Sequence, residues 1–307
     1  KMKISVDELL SPGIELDPQH FSVTQFALNV SRKASGVSKL HTKLSEDYWP
    51  RYHWTNITNA VHMPTWQSPA IPTATDDPKR LWHAHLEEKR QLAQFCQAHT
   101  GYTFDPNYFV ITWARRIAGY KQLDALFADI ERLTKIVTNR DWPVQLLITG
   151  KAHQGDQHGK KLLKEIIAYM QTNLSGHALY LPNYNIAIAQ PLVKGSDLWL
   201  NTPQKGKEAS GTSGMKAIAN GVLQATVSDG WAAEVDWTDL GWVLDSSTLS
   251  ESIYDQLETE ILPMYFKRAE DGVPYEWVAR MQRSIELSAN FAAKRMFQEY
   301  TDNLYTS

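Results

Sequence analysis

The segment Glu208-Ala209-Ser210-Gly211-Thr212-Ser213-Gly214-Met215-Lys216 concentrates more reactive chemistry than any other stretch of the chain. It joins a carboxylate to a run of small residues able to cradle an anion, and a lysine follows just past the last glycine. Lys216 sits among Met215, Ala217, Ile218 and Ala219. Apolar surroundings favour the neutral amine over the ammonium, and a neutral amine can form an imine with an aldehyde. Glycines let a backbone approach a phosphate closely, and a helix opening there directs its free N–H groups at an anion. A ligand that is both aldehyde and phosphate is pyridoxal phosphate. The same spacing also fits an ordinary glycine-serine turn ahead of a surface lysine, and both readings stay open at this level. A Walker loop is excluded, because Thr212 stands where that motif needs its lysine.

A second group of charges, Arg115, Arg116 and Lys121, follows an apolar run. Arginine offers a fork of donors suited to phosphate oxygens, and lysine a compact point charge. Two phosphates held close together need several cations to offset their repulsion; a solvated basic turn has the same bare spacing. Metal chemistry has little support. His83 and His85 lie two apart on an expected helix and so face different ways; His153, Asp156 and His158 could supply an oxygen-nitrogen set, but no Cys-x-x-Cys pair exists. No G-x-S-x-G elbow speaks for a serine hydrolase.

The elements that must position these residues begin with a chain of 307 residues, 43% hydrophobic, enough for a sizeable core in one large or two medium domains. A net charge of -3 argues against a nucleic-acid partner, so any anion site must come from local clustering of cations. Cys96 is the only cysteine, which excludes an internal disulfide and suits a reducing compartment. With no apolar run of membrane-spanning length and no signal-peptide pattern, the expectation is a soluble cytoplasmic protein without a membrane partner. Eleven tryptophans could stack on sugars, although tryptophan serves the core more often.

Hydrophobic periodicity predicts a helix over 29–48, with Leu28, Val37, Leu40 and Leu44 turned inward, a Pro-rich connector over 64–78 and a helix over 79–98. Strands are predicted over 108–114, 144–149, 178–181, 197–200, 222–227 and 241–244. Helices are predicted over 123–137, 160–174, 186–193 and 213–220, then over 249–268, 275–286 and 289–305. Near-continuous apolar strands alternating with helices predict an α/β fold with a doubly wound parallel sheet. Ligands of such sheets sit beyond the carboxyl ends of the strands. The loops 115–121, 150–153 and 202–214 all follow strands and would gather there.

Glu-Ala-Ser-Gly-Thr-Ser-Gly-Met-Lys-Ala resembles the cofactor-lysine signature of the α-glucan phosphorylases, the glycogen, starch and maltodextrin enzymes; Thr-Ser-Gly in place of Thr-Gly-Asn is similar to the short bacterial branch. Further blocks resemble the same family in the same order: 36–41, 57–66, 114–121, 150–153 and 199–203. The resemblance runs from about Phe21 to the end. It implies the glycosyltransferase-B architecture, with residues 1–65 as a remnant of the N-terminal domain and crossover and residues 66–307 as the Rossmann-like C-terminal domain, and so a fragment of a longer protein.

The resemblance further implies pyridoxal phosphate as an imine on Lys216, with its phosphate met by Thr212, Ser213 and Arg115 and its pocket lined by Tyr184. Arg116 and Lys121 match holders of the substrate phosphate, Glu208, Ser210 and Gly211 match residues that meet the glucosyl hydroxyls, and His41 matches a residue reaching the glucosyl unit from the other domain. The implied reaction is phosphorolysis of an α-1,4-glucan by inorganic phosphate to α-glucose 1-phosphate, with a homodimer as the assembly. Rival readings are a nucleotide-sugar glycosyltransferase of the same architecture, an aminotransferase-like pyridoxal enzyme, and a non-catalytic remnant. Two departures stand out. Gln204-Lys205-Gly206-Lys207 replaces the usual Arg-Arg-Pro-Leu, and Ala60 replaces a glycine, which would strain the backbone if a positive φ were needed. The family's Gly-rich loop above the substrate phosphate has no counterpart in the sequence.

Overall fold

The computed structural model describes residues 4–17 and 19–306. Its centre is a parallel sheet of six strands. They are β3 (Phe109–Ala114), β4 (Val144–Thr149), β5 (Ala178–Leu181), β6 (Leu198–Asn201), β7 (Leu223–Val227) and β8 (Trp242–Leu244), taken after a separate short pair, β1 (Ala34–Gly36) and β2 (Trp54–Asn56). The spatial order is β5-β4-β3-β6-β7-β8. Chain order therefore reverses between β3 and β6, and this is the switch point at which doubly wound sheets leave a crevice for ligands. All residues of β3, β4, β6 and β7 are buried, as strands covered by helices on both faces must be.

One face carries the long helix Pro78–Thr100 packed on Ile186–Gly195. Asp77 caps the long helix by accepting from the N–H groups of Lys79 and Arg80, Pro78 occupies its first turn, and Gly101 ends it at φ 73°. An aromatic cluster of Trp242, Trp277, Phe109, Tyr265 and Trp82 fills the core on the other side. Among the described residues no helix is long and apolar enough to cross a membrane.

Five predicted elements need correction, one of them the helix 289–305, which is a 3₁₀ turn Ala289–Phe291, an extended Ala292 bridged to Val61, and a helix that starts anew at Ala293. The predicted helix 29–48 is broken. Val23–Val30 is one helix, capped by Ser22, and Lys39–Tyr48 is another, capped by Ser38, with β1 between them. At the break Gly36 pairs with Asn56 and lets the backbone of Thr42 approach to where a Cβ would collide, and Ser38 starts the second helix anew. Leu28 is buried but Leu44 is exposed, so the inward stripe does not continue along the second helix. The predicted connector 64–78 contains two short helices, Met63–Trp66 and Ala70–Ala74. The predicted helix 123–137 splits into a 3₁₀ segment, Leu123–Phe127, and a helix, Ile130–Val137, that Asp129 starts afresh. The helix from Leu249 runs through a π-helical stretch, Leu257–Ile261, and ends at Phe266. Ala60 is not among the residues of positive φ, so it carries no strain.

At the amino end of the sheet a buried charge cluster fixes the long helix. Lys89 Nζ donates to Asp197 Oδ2 (2.7 Å), the Tyr108 carbonyl (2.7 Å) and Tyr265 Oη (2.8 Å). Asp197 also bonds His85 Nε2 (2.8 Å) and accepts the Val110 N–H (2.7 Å). Burial alone would push the Asp197 carboxyl up, but Lys89 and His85 hold it below the usual carboxylate range. A group so depressed adds stability above the unfolded carboxylate value of about 3.9, and that stability is lost as pH falls through the folded value. Lys89→Met, which strands a buried carboxylate, is expected to cost about 3–5 kcal/mol in urea unfolding. A loss under 1 kcal/mol would show the cluster to be incidental.

Candidate functional site

Three loops leave the carboxyl ends of β3, β4 and β6 and are tied to one another. The Arg115 N–H donates to the Thr149 carbonyl (3.2 Å) and the Ile117 N–H to the Lys151 carbonyl (3.0 Å), so the β3 loop prolongs its strand alongside the β4 loop. Gly150 permits this, because a Cβ there would overlap the Arg115 carbonyl. The chain then tightens into a 3₁₀ turn, Gly119–Lys121, and leaves through Gln122 at φ 48°. Thr202, just past β6, accepts from Trp113 Nε1 (3.1 Å) and donates to the Lys121 carbonyl (2.9 Å). The Gln204 N–H donates to the Tyr120 carbonyl (2.6 Å).

These ties bring Arg115, Lys121 and Glu208 together. Arg115 Nη2 and Lys121 Nζ both pair with Glu208 Oε2, and all three side chains are at least nine-tenths buried. Burial pushes the Arg115 guanidinium down from its ordinary value, against the pull of Glu208. Burial, then the Arg115 charge, lowers the Lys121 ammonium, which Glu208 opposes. Arg115 Nη1 and Ser210 Oγ are buried without a partner among the described residues. The site thus holds a donor with no acceptor and a hydroxyl with no use, beside two cations that share one carboxylate oxygen. An anion placed against Arg115 Nη1 would give that donor its acceptor.

Lys216 lies in the short helix Ser213–Ile218 directly after the loop. Its Nζ stands 3.8 Å from the centroid of the Trp66 ring, and burial lowers its basicity. The ring face supports the charged form and desolvation opposes it; the net direction is toward the free amine. Met215, Ala217 and Ile218 on either side are fully buried, as the sequence predicts. Thr212 makes no capping bond with its side chain, and Ser213 Oγ accepts from Trp199 Nε1 (3.3 Å), which leaves its proton free to donate. Gly211 takes φ 83°, a conformation that favours glycine. Tyr184 is half-buried against the Leu92–Val222 core, its hydroxyl pushed up by burial and drawn back by the Arg115 charge. The donors present fit a phosphorylated aldehyde: a less basic amine, two hydroxyls and an unpaired buried guanidinium N–H.

His41 comes from the first part of the chain. Ser38 caps its helix and also donates to the Ala209 carbonyl (2.8 Å), which docks that helix on the 208–214 loop. The Val37 N–H donates to His41 Nδ1 (3.2 Å), and burial holds the imidazole below its ordinary value, toward the neutral form. Glu234 reinforces the contact, accepting from the Lys39 N–H (2.9 Å) and from Thr58 Oγ1. Arg116, predicted beside Arg115 and Lys121, does not pair with Glu208 as they do. It is exposed and donates to Tyr120 Oη (2.9 Å). Arg115 beside it is buried, so the two successive arginines face different surroundings. Among the described residues no group of three or more His, Cys, Asp and Glu could hold a metal.

Residue reasoning missed two contributors. Trp66 lies 150 positions from Lys216 and no local pattern links them. Asp229, fully buried after β7, bonds the loop backbone and had only an Asp-Gly turn signal to mark it.

A sequence profile of a family described as carbohydrate phosphorylase matches residues 70–239. The chain is 30% identical to a glycogen phosphorylase of Aquifex aeolicus, over 99% of this chain and 52% of that protein. It is 32% identical to a maltodextrin phosphorylase of Thermococcus litoralis, over 98% of this chain and 42% of the relative. A glycogen phosphorylase of Mycobacterium tuberculosis is 28% identical over 98% of this chain and 42% of its own. The chain spans about half the length of the curated relatives it matches.

The surroundings of Lys216 predict that the pH midpoint of its acetylation, followed by peptide mass spectrometry, falls below the usual lysine range. Trp66→Ala, which admits water, moves that midpoint up. A midpoint in the usual range in both proteins would contradict the described burial.

Proposed function

The chain belongs to the carbohydrate phosphorylases, and from that membership we propose that it is the cofactor-holding portion of an α-1,4-glucan phosphorylase, a glycosyltransferase that forms α-glucose 1-phosphate from glucan and inorganic phosphate. The observations that carry the reading are a desolvated amine, Lys216, on the helix that directly follows the Glu208 loop, and the buried two-cation cluster at that loop, in which Arg115 Nη1 has a donor to spare. In this reading residues 1–65 belong to the crossover from an N-terminal domain and residues 66–307 form the cofactor domain. The single buried Cys96, its thiol pushed up to about 12 by burial and so kept protonated, suits a cytoplasmic setting. A homodimer is part of the same proposal.

Pyridoxal phosphate, when bound, supplies a phosphate able to exchange a proton with the substrate phosphate. Lys216 would hold its aldehyde, Thr212, Ser213 and Arg115 would hold its phosphate, and Tyr184 would flank it. Lys121 offers its ammonium to the substrate phosphate. Arg116 reaches that phosphate only by releasing Tyr120 Oη. Together these cations stabilise charge that gathers as the glycosidic bond breaks, a preorganised electrostatic contribution. Glu208, Ser210 and the backbone at Gly211 bind glucosyl hydroxyls, which both give and accept hydrogen bonds. His41, neutral and with its proton on Nε2 because Nδ1 accepts from the Val37 N–H, approaches the sugar from the other side as a donor. Since the relatives carry about as much chain again, the 307 residues alone are expected to form little α-glucose 1-phosphate from maltodextrin and phosphate.

Thermal unfolding tests the cofactor assignment. A ligand selective for the folded state at a hundredfold excess over its Kd adds about 2.7 kcal/mol. Pyridoxal phosphate should raise the Tm of the wild type and leave that of Lys216→Ala almost unmoved. A Tm raised by a nucleotide-diphosphate sugar and not by pyridoxal phosphate would turn the assignment to a nucleotide-sugar transferase. No shift with either would leave a non-catalytic domain.

A further inference from the structure

Asp229 is 1% exposed, and among the described residues no cation pairs with it. Its carboxylate is occupied entirely by backbone. Oδ2 accepts the N–H groups of Glu208 (3.0 Å) and Lys207 (3.2 Å), and Oδ1 accepts that of Gly230 (2.8 Å). The following residues grip the same loop further on. The Trp231 N–H donates to the Ser210 carbonyl (3.0 Å). Gly230, at φ 54°, lies so close beneath the loop that a Cβ would overlap the Ser210 carbonyl and stand 3.0 Å from that of Glu208. Three successive residues after β7 therefore form a mould for residues 207–210. An uncapped charge in the interior is costly, and here it is met by three N–H donors, the strong form of a backbone hydrogen bond.

We propose that Asp229 is a positioning residue that sets where the Glu208 carboxylate stands between Arg115 and Lys121. The proposal deepens the functional reading above and rests on it for why the position of Glu208 matters. The chemistry supports the charge as well as the shape of Asp229. An asparagine would turn an NH₂ group toward either the Gly230 N–H or the paired N–H groups of 207 and 208, so one end of the grip would meet a donor where it needs an acceptor. With the loop released, Glu208 Oε2 leaves Lys121, whose ammonium is already lowered by burial and by Arg115 and is opposed only by that carboxylate and by Tyr120. More of Lys121 is then neutral amine.

The test needs neither cofactor nor glucan, so its failure is separable from failure of the phosphorylase reading. Acetylation of Lys121 by acetic anhydride is timed by peptide mass spectrometry at pH 7.5 in wild type, D229N, E208Q and the double variant, with Tm recorded for each. Each pKa unit lost raises the neutral fraction roughly tenfold. The expected result is a several-fold faster reaction at Lys121 in D229N and in E208Q, a double variant no faster than E208Q, and unchanged rates at Lys160 and Lys161. A D229N rate at the wild-type level beside a raised E208Q rate would overturn the proposal, as would effects that multiply in the double variant or a rise shared by Lys160 and Lys161. If D229N does not fold, D229S, which keeps one acceptor oxygen, takes its place in the cycle under the same criteria.

Discussion

Arg115 and Lys121 can share a buried corner only because Glu208 stands between them. Two cations out of water repel one another and lose hydration; burial lowers both the guanidinium and the ammonium, and the Arg115 charge lowers the Lys121 ammonium further. One carboxylate offsets the repulsion. It comes from a different loop than the cations, so the loops after β3 and β6 must meet. The switch point of the sheet supplies that meeting, since β3 and β6 are neighbours although far apart in sequence. Thr202, which ties Trp113 to the Lys121 carbonyl, holds the two loops in register.

Two further layers depend on this corner. Beneath it, the turn at Asp229 and Gly230 shapes the loop that carries Glu208. Beside it, the same loop runs into the helix bearing Lys216, so the amine inherits its place from the path of residues 207–212. The first part of the chain closes on the loop through Ser38 and Ala209 and brings His41 with it. The replacement of Arg-Arg-Pro-Leu by 204–207 does not disturb this. Gly206 turns at φ 80°, the Lys207 N–H bonds back to Gln204 (3.0 Å), and Glu208 still reaches its cations.

Much of this was legible in the sequence. Continuous apolar runs such as Val144–Thr149 announce buried parallel strands, and the order of motif loops after strands places them on one edge. The apolar neighbours of Lys216 announced its desolvation. What stayed hidden was non-local. Leu44 has the spacing of a buried residue, but its helix leans on the Gly230–Glu234 turn with another face. The arginine pair reads as one unit, whereas the chain bends just past β3, with Arg115 buried and Arg116 exposed. Trp66 meets Lys216 from a distant part of the sequence, and the value of Asp229 lies in which N–H groups it faces, which no residue type encodes.

The central claim is that the amine at position 216 holds pyridoxal phosphate. The most direct measurement is borohydride reduction of the chain incubated with pyridoxal phosphate, followed by peptide mapping of the adduct. The account predicts one stoichiometric reduced adduct, on Lys216. An adduct spread over surface lysines with Lys216 unmodified would contradict it.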